Sequence, residues 1–244
     1  MKISPIKTRK ITLNESLEPI LDQYIKTLKS GDIISITSKI VSVSQGRVVA
    51  KTSIPKYDLI TQEADSILQT DNNPYDLYLT IKDNILISSA GIDESNGDGV
   101  YILYPENIQK VAHAAWQYLR AKHSIENLGI IITDSHTTPM RRGVTGITLG
   151  WCGFEPLYSY VNQPDIYGKP LRVTQINILD ALATAAVFVM GEGGEQTPIA
   201  VISDAPKITF VNRSPTAEEE KRVVISMEED LYAPLLLNAK WQNF

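Results

Sequence analysis

The segment IITDSHTTPMRRG, Ile131 to Gly143, sets an acid, a hydroxyl and an imidazole directly after an apolar run, with two arginines a few residues on. An aspartate at the end of a buried strand is held rigidly where the chain meets solvent, which suits a group that must grip something. Hard divalent cations such as Mg²⁺ and Mn²⁺ take oxygen ligands from a few carboxylates, with substrate phosphates and water completing the octahedron. Asp134 followed by Ser135 fits that chemistry, and two further acids stand in comparable loops: Asp93 in SSAGIDESN and Glu192 in GEGGEQ. Each acid alone also fits the commoner role of a solvated loop carboxylate or a cap. His136, beside Asp134, reads as a substrate contact or as support for a ligand rather than as a ligand itself.

Other chemistries are excluded by inspection. No G-x-x-x-x-G-K-[ST] occurs, so there is no P-loop. GEGGEQ begins like a dinucleotide-binding fingerprint but ends in Gln196, and it follows a helix where that fingerprint precedes one. Its glycines let backbone amides approach a phosphate, and they equally suit a helix cap at Gly191 with a tight turn. No H-x-x-x-H or C-x-x-C pattern supports zinc. His113 and His123 fall off the apolar stripe of their helix and are expected at the surface. The single cysteine, Cys152, lacks an obvious base and reads as a small buried side chain. No G-x-S-x-G elbow occurs.

These loops need elements to carry them. Leu17, Ile20, Leu21, Tyr24, Ile25 and Leu28 recur at helical spacing, Gly31 breaks the run, and DIISITS is strand-like. After SKIVSVSQGR, with a turn at Gly46, Val48 to Ala50 resumes extended structure. YDLITQEADSILQT predicts a short helix ending before the breaker cluster Asp71 to Pro74. YLTIKDNILISSAGID predicts a hairpin turning at Lys82 to Asn84. Ile108, Val111, Ala112, Ala115, Trp116 and Leu119 form one helical stripe, which leads into the strand LGIIITD. VTGITLGWCGFEPL predicts strand with turns and QPDIYGKPLRVT a loop. Ile178, Leu179, Leu182, Ala185, Ala186, Val189 and Met190 predict the strongest helix, and TPIAVIS a strand. The tail holds a charged run, TAEEEKR, a strand-like VVIS and a closing helix in EEDLYAPLL. Helices and strands intermingle with hairpins, which predicts an α+β fold with mixed and antiparallel sheets and flanking helices. No linker or repeat divides the chain, so residues 1–244 are expected to form one domain, or two intertwined subdomains.

With 43% apolar and 21% charged residues the composition is that of a globular protein, and no apolar stretch approaches the ~18 residues of a membrane span. The N-terminus lacks an apolar core of signal-peptide length, and one cysteine allows no internal disulfide; both fit a cytoplasmic protein. A net charge of -5 argues against nucleic-acid binding. Anionic substrates must therefore be met locally, by Lys39, Arg47, Arg141, Arg142, Lys169 and Arg172.

In order along the chain, GDIISITSKIVSVSQGR, SSAGIDESN, IITDSHTTPMRRG, DIYGKPLRVT, VFVMGE and EEDLY resemble the motifs of the coenzyme F420-0:L-glutamate ligases, the CofE family. The resemblance runs from about Gly31 to Tyr232. It implies a GTP-dependent homodimeric enzyme of an α+β fold that adds L-glutamate, through a γ-glutamyl amide bond, to a carboxylate acceptor. It also implies two Mg²⁺ or Mn²⁺ ions, with a monovalent cation such as K⁺ assisting. Carried over residue by residue, Asp93 and Asp134 match the acids at the first ion. Ser135, where the family usually has threonine, and Glu192 match the second. Ser38, Lys39, Asn96 and the run Met190, Gly191, Glu192, Gly193, Gly194, Glu195, Gln196 and Thr197 match nucleotide contacts. Asp93, Asp134 and Arg141 are the residues assigned to catalysis, and His136, Arg142, Lys169 and Arg172 those assigned to substrate.

The chain departs from the family where Phe-Gly-Arg is replaced by His136, Thr137 and Thr138, Trp by Met140, Gln by Val144 and Lys by Val43. The family's N-terminal nucleotide segment is not recognisable in KTRKITL. These departures leave the acids intact and alter the surfaces that would contact acceptor and base. A folate acceptor, and a nucleotide-binding protein without catalysis, are the competing readings.

Overall fold

Two runs of isoleucine decide the architecture. In the computed structural model, which describes residues 1–70 and 75–244, strands β2 (Asp32–Thr37) and β8 (Leu128–Thr137) lie side by side and parallel, with Thr37 opposite Thr133. Because a strand turns successive side chains to opposite faces, Ile34, Ile36, Ile130 and Ile132 join one core and Ile33 and Ile131 another. Both faces are therefore covered, which is why these runs read as continuous rather than alternating.

The main sheet has the order β1-β12-β2-β8-β9. β1 (Lys2–Ile6), β12 (Ile199–Ser203) and β9 (Val144–Cys152) all pair antiparallel, so β2 and β8 form the parallel pair of a mixed sheet, in accord with the expected α+β class. β1 contains Pro5, which cannot donate to a ladder; the strand occupies the sheet edge, where that loss is tolerated. On one face lie α1 (Leu17–Tyr24), α2 (Ser38–Ser44) and α4 (Ile108–His123), and on the other α5 (Ile178–Met190).

A four-stranded antiparallel sheet of order β13-β4-β5-β6 is built from β4 (Ser66–Leu68), β5 (Leu79–Lys82), β6 (Ile85–Ser88) and β13 (Trp241–Asn243). A third core joins Leu59 and Ile60 of α3 (Lys56–Glu63) to Ile67, Ala90, Tyr101 and Leu103. Two small pairs complete the strands: β3 (Val48–Ala50) with β7 (Val100–Ile102), and β10 (Leu157–Ser159) with β11 (Gln175–Asn177). The tail carries α6 (Ala217–Val223), closed by a capping box between Thr216 and Glu219, and α7 (Ala233–Leu236).

Several local expectations are corrected. The strand DIISITS stops at Thr37, and Ser38 opens α2, a helix whose β-branched residues gave no helical signal; burial of Ile40 and Val41 overrides propensity there. The helix predicted over residues 57–70 ends at Glu63, and the chain re-enters a sheet at Ser66. The cluster Asp71 to Pro74 lies outside the described residues. VVIS is not a strand: Val223 ends α6. His113 and His123 are half-buried; the His113 ring packs edge-on to Trp116 and pairs with the Ser214 hydroxyl. Among the described residues no helix is long and apolar enough to cross a membrane.

Candidate functional site

Parallel strands open a crevice at their carboxyl ends, where the chain turns away from the sheet. At that end Ser38 and Lys39 follow β2, and Asp134 and Ser135 lie near the end of β8. β12 runs the other way, so its beginning arrives at the same place, bringing the 191–198 loop that follows α5; the Thr37 amide donates to the Pro198 carbonyl at 3.0 Å. β1 ends there too, and the Thr8 amide donates to the Gln196 carbonyl at 2.8 Å. A fifth segment, the 93–100 loop, is anchored by exchange of backbone hydrogen bonds between Asp93 and Ile102, at 2.8 and 2.9 Å.

The segments enclose a cavity of about 930 Å³. Lys39, Asp93, Asn96, Asp134, Ser135, and Met190 through Thr197 all line it. Ser38 is buried, and its hydroxyl favours the ionised form of the Asp134 carboxyl. Residues from five separate stretches of sequence thus share one space.

Within it the charges are ordered. Lys39 Nζ lies 2.6 Å from Asp93 Oδ2 and donates to Ser95 Oγ at 3.0 Å. The other oxygen, Asp93 Oδ1, accepts from the Ser95 amide at 2.6 Å and the Ser95 hydroxyl at 2.7 Å. Asp134 Oδ1 accepts from the Ser135 amide at 2.7 Å. Burial pushes the Asp134 carboxyl up to about 6 against the pull of the Ser135 amide and Ser38 hydroxyl; Asp93 adds to the rise and Lys39 opposes it. Glu192 is also raised, first by burial and then by Asp93 and Glu195, while Lys39 and the Ser135 hydroxyl hold it down. These acids therefore influence one another through space, with one ammonium among them.

The glycine loop is shaped for close approach. Gly191 caps α5 at φ 81, its amide bonded to the Val187 carbonyl at 2.9 Å, as expected of that glycine. The Gly193 amide donates to Glu195 Oε2 at 2.8 Å, Gln196 takes φ 59, and the Thr197 hydroxyl donates to the Met190 carbonyl. Asn96, itself at φ 57, reaches across to the Gly193 carbonyl at 3.0 Å.

The oxygen donors fit hard divalent cations. Among the described residues no three His, Cys, Asp or Glu side chains are grouped tightly enough to hold an ion by themselves. Mg²⁺-type sites commonly use only one or two carboxylates and leave the remaining positions to phosphate and water. The donor set is the observation in favour of that fit: Asp93, Asp134, Ser135 and Glu192, all oxygen donors, line one cavity.

Not every expected residue joins the cavity. Arg141 and Arg142 lie exposed in the turn between β8 and β9, and Lys169 and Arg172 are exposed between β10 and β11. His136 is half-buried near Asp180 and outside the lining, its burial disfavouring the protonated ring. Arg47 is committed to structure, pairing with Glu63 at 2.6 Å and Glu106 at 3.2 Å. Conversely, Thr8 through Leu13 and Asp98 line the cavity, and Ile11 and Leu13 join Val43, Val48 and Val100 as its apolar lining. The sequence places the family's nucleotide segment at KTRKITL without a recognisable motif and names Val43 only as a departure, although Arg9 and Lys10 just after a strand were a usable signal.

Comparison with known proteins points in one direction. The pattern defining the F420-0:Gamma-glutamyl ligase family matches residues 5–204. The chain is 29% identical over 220 residues to the coenzyme F420:L-glutamate ligase of Methanopyrus kandleri, covering 82% of this chain and 86% of that one. It is 30% identical over 208 residues to the enzyme of the same name from Methanocaldococcus jannaschii, covering 78% and 81%. It is also 30% identical over 224 residues to that of Methanosarcina mazei, covering 83% and 86%.

Proposed function

The chain belongs to the F420-0:gamma-glutamyl ligase family, and from that premise we propose that it is a GTP-dependent enzyme joining the amino group of L-glutamate to a carboxylate of coenzyme F420-0. The observation that carries this reading is the meeting of Lys39, Asp93, Asn96, Asp134, Glu192 and the glycine loop around one cavity large enough for a nucleotide.

Amide formation in water is uphill, so the acceptor carboxylate must first become an electrophile. One of its oxygens attacks the γ-phosphorus of GTP and GDP leaves, giving an acyl phosphate. The glutamate nitrogen then attacks the acyl carbon, phosphate departs, and the nitrogen gives up a proton. Divalent ions, when bound, neutralise the phosphate charge and align the reactants. Asp93, Asp134, Ser135 and Glu192 would hold them.

The remaining residues have separable tasks. Gly193 and Gly194 let backbone come close to phosphate, and Asn96 fixes the loop they belong to. Lys39 contacts the nucleotide's phosphates. The apolar wall of Ile11, Leu13, Val43, Val48 and Val100 receives the base. Arg141, Arg142, Lys169 and Arg172, which form no ion pair among the described residues, supply cations for the anionic acceptor, and His136 is a further substrate contact. The enzyme works as a cytoplasmic homodimer.

Purified protein incubated with GTP or ATP, Mg²⁺ or Mn²⁺, glutamate and either coenzyme F420-0 or a folate tests this directly. The expected result is a mass gain of one glutamate on coenzyme F420-0 with GTP. A gain on folate alone would change the acceptor. Nucleotide binding with no gain on either would replace the ligase with a binding protein.

A further inference from the structure

The Lys39 ammonium occupies a place that the proposed function gives to something else. It stands 2.6 Å from Asp93 Oδ2 and 3.0 Å from Ser95 Oγ, and it lines the cavity with Asp134 and Glu192. Ser95 already supplies two donors to Asp93 Oδ1, so both oxygens of Asp93 are engaged by the protein. A divalent ion coordinated by an Asp93 oxygen sits about 2.1 Å from it. An ammonium held at 2.6 Å from the same carboxylate would then face a doubly charged neighbour in a partly dehydrated space, where like charges repel strongly.

We infer that Lys39 is a tethered cation standing in for a divalent ion at Asp93, and that ion entry requires it to leave Asp93 and swing toward the nucleotide's phosphates. The inference rests on the metal-dependent reading above and goes beyond it: the same residue blocks the ion site when the cavity is empty and serves phosphate when it is filled. Lysine suits the exchange, being a compact charge on a flexible four-carbon stem. Its backbone sits in the first turn of α2, beside the bend leaving β2, so the head can move while the sheet stays fixed. Ion and nucleotide are thereby coupled: either one, by drawing or driving Lys39 off Asp93, favours the other.

Calorimetric titration of the whole protein with Mn²⁺ alone, without nucleotide, tests the exchange. Lys39→Met and Lys39→Gln keep most of the stem but remove the charge, and both should bind Mn²⁺ about fivefold more tightly than the parent, the fold-change of a pair worth ~1 kcal/mol. In an Asp93→Asn background the Lys39→Met gain should vanish, because the block acts through Asp93. Unchanged or weaker Mn²⁺ binding in both lysine variants, each folded by circular dichroism, would overturn the inference. So would an undiminished gain in the Asp93→Asn background. Asp134→Asn separates the parent reading: if it takes up Mn²⁺ as the parent does, the metal site itself is misplaced. If no variant takes up Mn²⁺, both readings fall.

Discussion

Asn96 and Gly193, ninety-seven residues apart, are joined by a 3.0 Å hydrogen bond from the Asn96 amide to the Gly193 carbonyl. The bond ties the 93–100 loop to the glycine loop and fixes the peptide plane between Gly193 and Gly194, and with it where the Gly194 amide points. Both groups are exposed, so the bond contributes little to folding, roughly 0.5–1 kcal/mol. Its loss falls on binding instead. Asn96→Gly, which removes the donor and tolerates the positive φ of this residue, should weaken GTP binding about three- to tenfold while the melting temperature stays near that of the parent. An equal affinity by calorimetry would show that the tether does not organise the loop.

The Asp134 carboxyl gives the metal-free protein a distinctive pH response. Its folded value, about 6, lies above its ordinary one, so the native state holds the proton more tightly than the unfolded chain. That contribution is fully present below about pH 4 and is lost as pH rises through 6, amounting to at most ~3 kcal/mol. Glu15 and Glu219, both lowered to about 2 by their arginine partners, act with the opposite sign, so the parent's overall curve mixes the two effects. Comparison with Asp134→Asn isolates the first. The variant should melt higher than the parent at pH 7.5 without metal, by a margin that shrinks as the pH falls toward 4, with the order at pH 7.5 reversed by Mn²⁺. A constant gap across that range would remove burial of Asp134 as the cause.

The acids were legible in the sequence because a strand end is itself legible: IIIT followed by Asp134 announces both a buried run and its exit. What brings Asp93 and Glu192 beside it was not, since the approach depends on β12 running antiparallel to β2 and on one exchange of backbone bonds at Ile102. Helix α2 was invisible because β-branched residues carry a strand signal that only packing overrules. The face of α5 was partly misread for a related reason. That helix is apolar nearly all round, and periodicity chose Ala185 and Val189, whereas the structure buries Ala183 and leaves Val189 at 37% exposure. Nothing local to the helix could reveal that choice, which is made by strand β9.

Phe188 on α5 gives the proposed homodimer a surface to test. Phe188 is 86% exposed on its outer side, and Ile166 and Tyr167, in the 160–174 loop, are 91% and 82% exposed. Exposed apolar side chains mark an interface where they form one contiguous patch. The parent should sediment as a dimer, and Phe188→Glu should shift it toward monomer with unchanged far-ultraviolet circular dichroism. A monomeric parent, or a variant that remains dimeric, would place the partner surface elsewhere.

Strand β9 meets a helix on each side, and a glycine permits each approach. Its pairing with β8 shifts between Ile132 and Thr133, where Leu149 is passed over. Such a bulge reverses which residues face which side. Gly146 and Thr148 consequently face α5, and Gly150 and Cys152 face α4. A Cβ on Gly146 would stand 2.3 Å from the Ala183 carbonyl oxygen, backbone that cannot yield without moving α5. One on Gly150 would meet the Ile108 side chain at 2.9 Å, a contact a rotamer can relieve in part. Gly146→Ala should therefore cost about 2–3 kcal/mol by urea unfolding and Gly150→Ala clearly less. Because α5 carries Glu192 just beyond its end, Gly146→Ala should also weaken Mn²⁺ binding at temperatures where the variant is fully folded, and Gly150→Ala should not. Equal destabilisation with no loss of Mn²⁺ binding in either would mean that β9 does not set the position of the glycine loop.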